Sequence, residues 1–126
     1  MIHFSSKRQN WRTPKWLYEE LNDEFNFDHD PCPPNPIVDG LISEWGSMNF
    51  VNPPYGREIK HWIYKAWWEK QRGNSSVMLI PARTDTSYWH DVIFPFATEI
   101  RFVPGRLKFD DGKNSAPFPS AIVIFR

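Results

Sequence analysis

The residues with the clearest chemical potential form the tetrapeptide Asn52-Pro53-Pro54-Tyr55. Pro53 and Pro54 have no N–H, so their carbonyls act only as acceptors, and their rings fix two successive φ angles. Asn52 adds an amide oxygen and Tyr55 a flat aromatic face. Such a turn suits a planar ligand with an exocyclic NH₂, because two oxygens can bind the amine hydrogens and stabilise positive charge as the nitrogen attacks an electrophile. A rigid loop without chemistry is the alternative that the tetrapeptide alone leaves open.

The segments on either side of this tetrapeptide have the patterns of a strand and a helix. Apolar residues form a strand candidate over 47–51. They then recur at helical spacing from Ile59 to Trp67, and Gly73 stands where a C-cap belongs. The apolar run over 77–80 is typical of a strand buried on both faces. Strands that alternate with helices predict an α/β sheet with helices packed on it.

The same reasoning predicts the remaining elements of one small domain. Thr13 is expected to be the N-cap, and Pro14 the first residue, of a helix that runs to about Glu24. With 126 residues, the chain is expected to form a single domain, 1–126, around one core. Further predictions are an N-terminal arm at 1–12, strands at 25–29, 100–103 and 121–125, a short helix at 87–93 and a loop at 104–119.

Polar segments follow three of the predicted strands, at 30–32, 52–55 and 81–85. Ligands of α/β sheets bind beyond the carboxyl ends of the strands, so these segments are well placed for a site. We therefore expect all three to border one crevice.

Charge and composition limit where a nucleic acid could bind. The chain has 15 Lys and Arg against 15 Asp and Glu, so its net charge is zero and a nucleic-acid site must be a local basic patch. Aromatic residues make up 17%, enough to fill a small core or to line a site for a flat base, and Trp62, Trp67 and Trp68 are expected in the core or on a helix surface. Two basic clusters, each either a phosphate contact or a solvated face, are Lys7, Arg8, Arg12 and Lys15, and Arg101, Arg106, Lys108 and Lys113.

The cysteine count and the hydropathy exclude other classes of protein. One cysteine, Cys32, excludes an intramolecular disulfide and a zinc site built from several cysteines, and no metal is expected. No apolar run approaches the roughly 18 residues of a membrane span, and the first residues lack the apolar core of a signal peptide. We therefore expect no membrane partner and a reducing, cytoplasmic environment.

Beyond the tetrapeptide, a set of segments in chain order resembles one family of enzymes. The segments are Trp11-Arg12-Thr13-Pro14, Phe25-Asn26-Phe27-Asp28-His29-Asp30-Pro31-Cys32, Asp39-Gly40-Leu41 with Trp45, Asn52-Pro53-Pro54-Tyr55, Pro81-Ala82-Arg83-Thr84-Asp85-Thr86, Arg101-Phe102 with Gly105-Arg106-Leu107, and Ala116-Pro117-Phe118-Pro119-Ser120-Ala121. Together they resemble the phage-type DNA N-6-adenine methyltransferase family over nearly the whole chain. The resemblance implies an abbreviated Rossmann-like methyltransferase sheet with flanking helices, S-adenosylmethionine as cofactor and DNA as partner, in the bacterial host cytoplasm if the protein is phage-encoded.

The resemblance also implies catalytic roles for the tetrapeptide. Asn52 and the Pro53 carbonyl would accept hydrogen bonds from the target adenine amine, with Pro54 stiffening the turn. Tyr55 would stack on a base taken out of the duplex. Because the attacking amine is neutral, no separate strong base is needed before attack.

For the cofactor, the resemblance implies contacts from four residues. Asp30 and Cys32 match the first cofactor motif, near the methionine part of the cofactor. Thr13 matches a position that meets the cofactor carboxylate, and Asp39 matches one that accepts from the cofactor adenine amine. Thr13 could instead be only an N-cap and Cys32 only a small buried residue. Asp30 and Asp39 could each simply open a turn.

Four further residues are expected to contact DNA. Arg83 is expected on a phosphate and Asp85 near the extruded base, with a weak surface ion pair between them as the alternative. Arg106 and Lys108 are expected on phosphates. The small size predicts short or loose sequence specificity, and a homodimer is one way to extend the contact.

One part of the chain departs from the family pattern. Prolines between residues 33 and 36 stand where glycines are expected, and only eight residues separate Asp30 from Asp39, too few for a helix and a strand. The cofactor pocket is therefore expected to be shortened. Candidate ribose partners are Asp28, His29 and Glu44. Two alternative functions are a non-catalytic remnant that binds nucleic acid or a partner protein, and a methyltransferase for another planar nitrogen, in an RNA base, cytosine or glutamine.

Overall fold

A computed structural model of the protein describes residues 11–109 and 115–126. Its elements in chain order are α1 (Lys15–Phe25), β1 (Met48–Val51), α2 (Ile59–Gln71), β2 (Ser75–Pro81), a π-helical turn (Trp89–Ile93), α3 (Phe94–Phe96), β3 (Glu99–Phe102) and β4 (Ser120–Phe125). Within the described residues, the four strands form an open mixed sheet in the order β1-β2-β4-β3. β1 runs parallel to β2, and β4 is antiparallel to both of its neighbours. The predicted α/β class is confirmed.

The two central strands, β2 and β4, have the apolar sequences that their position requires. All of β4 and all but the first residue of β2 are buried, because each strand has neighbours on both sides. α2 packs against both strands and buries Ile63 and Ala66 completely. The strands predicted at 47–51, 77–80, 100–103 and 121–125 are confirmed, with small shifts at their ends.

The first helix begins differently from the prediction. Its N-cap is Pro14, which is extended with a ψ of 135°, and no side chain caps the helix. The Pro14 carbonyl accepts hydrogen bonds from the N–H groups of Leu17 and Tyr18, both at 3.1 Å. The prediction of Thr13 as N-cap and Pro14 as first helical residue is wrong, because the Thr13 hydroxyl is engaged by a side chain outside the helix.

The strand predicted at 25–29 is reduced to a single bridge. α1 continues to Phe25, which is buried, and Asn26 then ends the helix in the left-handed conformation with a φ of 57°. His29 pairs with β1 in parallel, through one bridge to Asn49. Phe25, the first residue of the predicted strand, thus belongs to the apolar face of α1, and only a short segment around His29 lies beside β1.

The other predicted boundaries are close to those of the structure. Gly73 follows α2 with a positive φ of 92°, and its N–H donates to the Lys70 carbonyl at 2.9 Å. The helix predicted at 87–93 is confirmed and continues into α3. Of the predicted arm, residues 1–10 lie outside the described residues, whereas Trp11 is half-buried against other aromatic rings.

Candidate functional site

The carboxyl ends of parallel chain segments lie at one edge of the sheet and bring predicted site residues together. Asp30 and Cys32 follow the His29 bridge, and Asn52 follows β1. With Thr13, these side chains line a small cavity of about 40 Å³. The other residues that line it are Trp11, Arg12, Pro34 and Phe50. Two of the three segments that were predicted to border one crevice therefore lie side by side.

The side-chain amide of Asn52 has a fixed orientation at this cavity. Its Nδ2 donates to the backbone carbonyl of Trp11 and to the hydroxyl of Thr13, the latter at 3.0 Å. Its Oδ1 is buried and has no hydrogen-bond partner within the described residues. A buried acceptor without a donor costs about 1–3 kcal/mol, so this oxygen stands to gain from a ligand N–H.

Asp30 and Cys32 form a turn and also line the cavity. Asp30 Oδ1 accepts from the Cys32 N–H at 2.8 Å. Burial raises the pKa of Asp30 to about 6, although the hydrogen bond from Cys32 opposes the shift. Burial, together with the negative charge of Asp30, raises the pKa of the Cys32 thiol to about 12. The thiol is therefore protonated at neutral pH and is a poor nucleophile.

Asp39 lies in a turn outside this cavity. Its carboxylate accepts from the Leu41 N–H at 2.9 Å, which matches the turn-opening alternative. Gly40 is buried, and a Cβ there would come within 2.0 Å of the Pro31 carbonyl and 2.6 Å of the Trp62 ring. This close approach folds the shortened segment against α2. Of the predicted cofactor contacts, Asp39 is the one that the structure does not bring to the cavity.

Tyr55 turns into the interior. Its side chain is 2% exposed, and its phenol donates to the Leu79 carbonyl at 3.0 Å. Burial raises the pKa of Tyr55 well above its usual range. Phe109 and Phe118 contact the ring edge-on, with centroid distances of 6.4 and 5.5 Å. Stacking of a base on Tyr55 therefore requires that these two rings move.

Trp11, Phe109 and Phe118 form a cluster against the tetrapeptide, which we call the aromatic cover. The Trp11 ring centroid lies 5.5 Å from that of Phe109 and 5.4 Å from that of Phe118, both edge-to-face. The Arg83 guanidinium lies 5.5 Å from the Phe118 centroid and so adds a cation to the cover. Sequence reasoning missed this cluster, since the high aromatic content was its only signal and does not show which rings meet.

The residues predicted to contact DNA are exposed: Arg83, Asp85, Arg106 and Lys108. No ion pair joins Arg83 to Asp85 in the described part of the chain. Arg101, by contrast, forms two hydrogen bonds with the Glu24 carboxylate, at 2.6 and 2.7 Å, and also pairs with Glu99. Of the two alternatives for its cluster, a phosphate contact or a solvated face, these ion pairs favour the solvated face for Arg101, because its charge is already balanced. Lys7, Arg8 and Lys113 lie outside the described residues.

A separate cleft of about 410 Å³ lies between the end of the tetrapeptide and the segment after β2. Two exposed cations, Arg57 and Lys60, line it beside hydroxyl groups, a combination that suits a phosphate. Sequence reasoning missed both cations because their spacing marks them only as the polar side of a helix start. The full lining is Gly56, Arg57, Ile59, Lys60, Thr86, Ser87 and Tyr88.

A groove of about 590 Å³ on the outer side of α2 contains none of the predicted site residues. It is lined by Leu41, His61, Tyr64, Lys65, Trp67 and Trp68. Trp62 is buried and Trp68 is exposed, as expected for core and helix-surface positions. Over 11–109 and 115–126, no three His, Cys, Asp or Glu side chains gather as a metal site, and no helix is long and apolar enough to cross a membrane.

A known protein family matches nearly the whole chain. A family model described as DNA N-6-adenine-methyltransferase (Dam) matches residues 3–125. No curated protein matches the chain. The matched range contains every residue that lines the Asn52 cavity, together with the aromatic cover.

Proposed function

Because the chain belongs to the DNA N-6-adenine-methyltransferase (Dam) family, we propose that it transfers a methyl group from S-adenosylmethionine to the exocyclic amine of adenine in DNA. The observation that carries this proposal is the buried Oδ1 of Asn52, which has no partner among the described residues. The Asn52 residue lines a cavity together with Asp30. An acceptor left unsatisfied by the fold supports a ligand donor at that point, and an adenine amine is such a donor.

In the proposed reaction, Asn52 Oδ1 and the Pro53 carbonyl accept the two hydrogens of the adenine amine and orient its nitrogen. S-adenosylmethionine, when bound, supplies an electrophilic methyl group to that nitrogen. The same two oxygens stabilise the positive charge that develops on the amine. The nitrogen loses one proton after the transfer, so Asn52 needs no strong base beside it.

The chemistry of the cavity suits a cationic methyl donor, whereas its volume requires a change of conformation. The Asp30 carboxylate would pair with a sulfonium charge. The cavity of about 40 Å³ is far smaller than the roughly 300–1,000 Å³ of small-molecule pockets. Binding therefore requires that the rings of the aromatic cover move away from the cavity while the backbone at Trp11 and Thr13 stays in place, and this movement also exposes Tyr55.

The sheet supports a site of the same class. The His29 segment, β1 and β2 run parallel and side by side, with polar segments at their carboxyl ends. Doubly wound sheets bind ligands at this kind of edge. We infer an abbreviated Rossmann-like sheet in which the bridge at His29 replaces a full strand.

Exposed cations beside the tetrapeptide and the aromatic cover suit a DNA backbone. Arg57 and Lys60 line the cleft beside the tetrapeptide, and Arg83 lies on the aromatic cover. Arg106 and Lys108 are exposed on the loop that leads to Phe109. Because the net charge of the chain is zero, local cations of this kind have to supply the attraction for phosphates.

Incubation of the full chain with methyl-labelled S-adenosylmethionine and DNA tests the proposal. We expect label in N-6-methyladenine, and a loss of at least about 100-fold in rate for Asn52→Ala. Asn74→Ala is the matched control, since Asn74 bonds to Glu69 at the end of α2, away from the cavity. Absence of label in DNA with a folded protein would contradict the proposal.

Two other functions give different results with the same reagents. Label in RNA or protein but not in DNA would indicate another planar nitrogen as the target. The buried ring of Tyr55 and the small cavity favour a second candidate, a remnant that binds nucleic acid or a partner protein without catalysis. Calorimetry with S-adenosylmethionine distinguishes this remnant from the enzyme. Absence of binding even with DNA present indicates the remnant, and micromolar binding supports the enzyme.

A further inference from the structure

We infer that the backbone carbonyl of Trp11 and the hydroxyl of Thr13 form a positioning pair that sets the orientation of the Asn52 amide, and that this pair makes an amide, in place of a carboxylate, obligatory at residue 52. The catalytic consequence rests on the proposed function, whereas the orientation itself does not. Thr13 acts here through Asn52 and is a positioning residue.

The orientation follows from what each partner can do. A peptide carbonyl only accepts hydrogen bonds, so the group of Asn52 that faces the Trp11 carbonyl has to be its NH₂. The Thr13 hydroxyl accepts from the same nitrogen at 3.0 Å. Both hydrogens of the Asn52 amide nitrogen thereby bond within the chain, and Oδ1 is the atom that remains for a ligand.

The positions of both partners are themselves fixed by the fold. Trp11 and Thr13 lie just before Pro14, the N-cap of α1, so the start of this helix holds their backbone beside Asn52. The Thr13 hydroxyl does not cap α1, since the N-cap is Pro14 and no side chain bonds there. A Thr-Pro pair in front of a helix thus serves a residue that is distant in sequence.

A carboxylate at residue 52 would reverse the effect of this pair. It has two acceptor oxygens and no donor, so one of them would face the Trp11 carbonyl. The side chains on the cavity wall that can carry charge are Arg12, Asp30 and Cys32, and ionised Asp30 adds repulsion. Protonation of the carboxyl would restore a donor toward Trp11, so the defect of an Asn52→Asp variant should shrink as the pH falls.

Two measurements on the full chain test the inference. The first is the NMR signal of the Asn52 side-chain NH₂, assigned by its loss in Asn52→Ala. We expect Thr13→Val to shift this signal, Thr13→Ser to restore it, and Thr98→Val to leave it unchanged. Thr98 is a matched control because its hydroxyl bonds to Arg126 at the opposite end of the sheet.

The second measurement is methyl transfer. We expect Thr13→Val to lower kcat about tenfold with little change in the KM for S-adenosylmethionine; a hydroxyl that only contacts the cofactor would raise KM instead. We expect Asn52→Asp to lower kcat about 100-fold at about pH 8 and to recover relative to wild type, measured at the same pH, toward about pH 6.

The outcomes separate this inference from the proposed function. If wild type transfers no methyl group but Thr13→Val shifts the Asn52 signal, the proposed function fails and the positioning pair stands. If wild type is active and Asn52→Asp is equally active at about pH 8, or if Thr13→Val leaves the NH₂ signal unmoved, the inference is overturned.

Discussion

Asn52 and Tyr55 belong to the same rigid turn, yet they differ in whether their polar atoms have hydrogen-bond partners in the fold. Asn52 retains a buried oxygen without a partner among the described residues. The phenol of Tyr55 bonds to the Leu79 carbonyl, and its ring is enclosed by Phe109 and Phe118. An unsatisfied polar atom is available to a ligand, whereas a satisfied one stabilises the fold. In this conformation, Asn52 at one end of the motif can bind a ligand, whereas Tyr55 at the other end stabilises the fold.

Removal of the Tyr55 ring tests whether this residue stabilises the fold, and it should have the largest effect of the changes considered. Tyr55→Ala is expected to lower the free energy of unfolding by about 3–5 kcal/mol, because it empties a buried aromatic site. Urea denaturation measures the loss. Tyr64→Ala, at a side chain that is 44% exposed, is the matched control and should change the value by less than about 1 kcal/mol. Equal effects would contradict the structural role of Tyr55.

Asn52→Ala should give the opposite result. We expect methyl transfer to fall at least about 100-fold while the free energy of unfolding changes by less than about 1 kcal/mol. The change removes the unsatisfied Oδ1 but also leaves the Trp11 carbonyl and Thr13 hydroxyl without this donor, so the two stability terms offset each other. Activity and denaturation assays on the same preparation check it, and a large loss of stability would show that Asn52 mainly holds the fold.

Asp30, on the wall of the Asn52 cavity, is expected to make the stability of the protein depend on pH. Its pKa is about 6 in the folded protein against an ordinary 3.8, so the folded state binds this proton more tightly than the unfolded state does. Ionisation of Asp30 therefore costs stability as the pH rises from about 4 to above about 6. Asp30→Asn keeps an acceptor for the Cys32 N–H and should stabilise the protein by about 1–3 kcal/mol at about pH 8.

The same variant should gain little at about pH 4, where Asp30 is already protonated in the fold. Urea denaturation at both pH values measures the difference, and an equal effect at the two would contradict the raised pKa. In calorimetry, Asp30→Asn should also bind S-adenosylmethionine more weakly, because it lacks the carboxylate that would face the sulfonium.

The smallest expected effect is on the salt dependence of DNA binding, which should differ between Arg57 and the ion-paired Arg101. Arg57→Gln should reduce the slope of log K against log salt for DNA binding by about one, since Arg57 lines the cleft beside the tetrapeptide. Arg101→Gln is the matched control and should leave the slope unchanged, because Glu24 and Glu99 already balance its charge. Fluorescence titrations at several salt concentrations measure the slopes, and equal slopes would contradict a DNA contact by Arg57.

The fold was predictable where local pattern and burial agree. The apolar run at 77–80 marks a strand with neighbours on both sides, and the spacing after Ile59 marks the buried face of α2. The family was predicted from the ordered segments and is confirmed over residues 3–125. The predicted strand at 25–29 failed because Phe25 satisfies the apolar face of a helix as well as that of a strand.

The candidate site was predictable in part. Asn52, Asp30, Cys32 and Thr13 meet at one cavity, since each stands next to a predicted element whose end points to the same edge. The N-cap role predicted for the Thr13 hydroxyl was wrong, because capping chemistry is local and the contact with Asn52 spans 39 residues. Whether Asp39 reaches the cavity depends on how Gly40 packs against Trp62, which no local pattern records.

The order of amino acids specifies which chemical groups are present: a stiff turn with two acceptor oxygens, a segment too short for a full crossover, and a charge balance that allows only local basic patches. Which of those groups have a hydrogen-bond partner depends on the folded chain. The Leu79 carbonyl takes the Tyr55 phenol, and Trp11 with Thr13 takes the Asn52 nitrogen. Residue types are local properties of a chain, whereas hydrogen-bond partners distant in sequence exist only once the chain has folded.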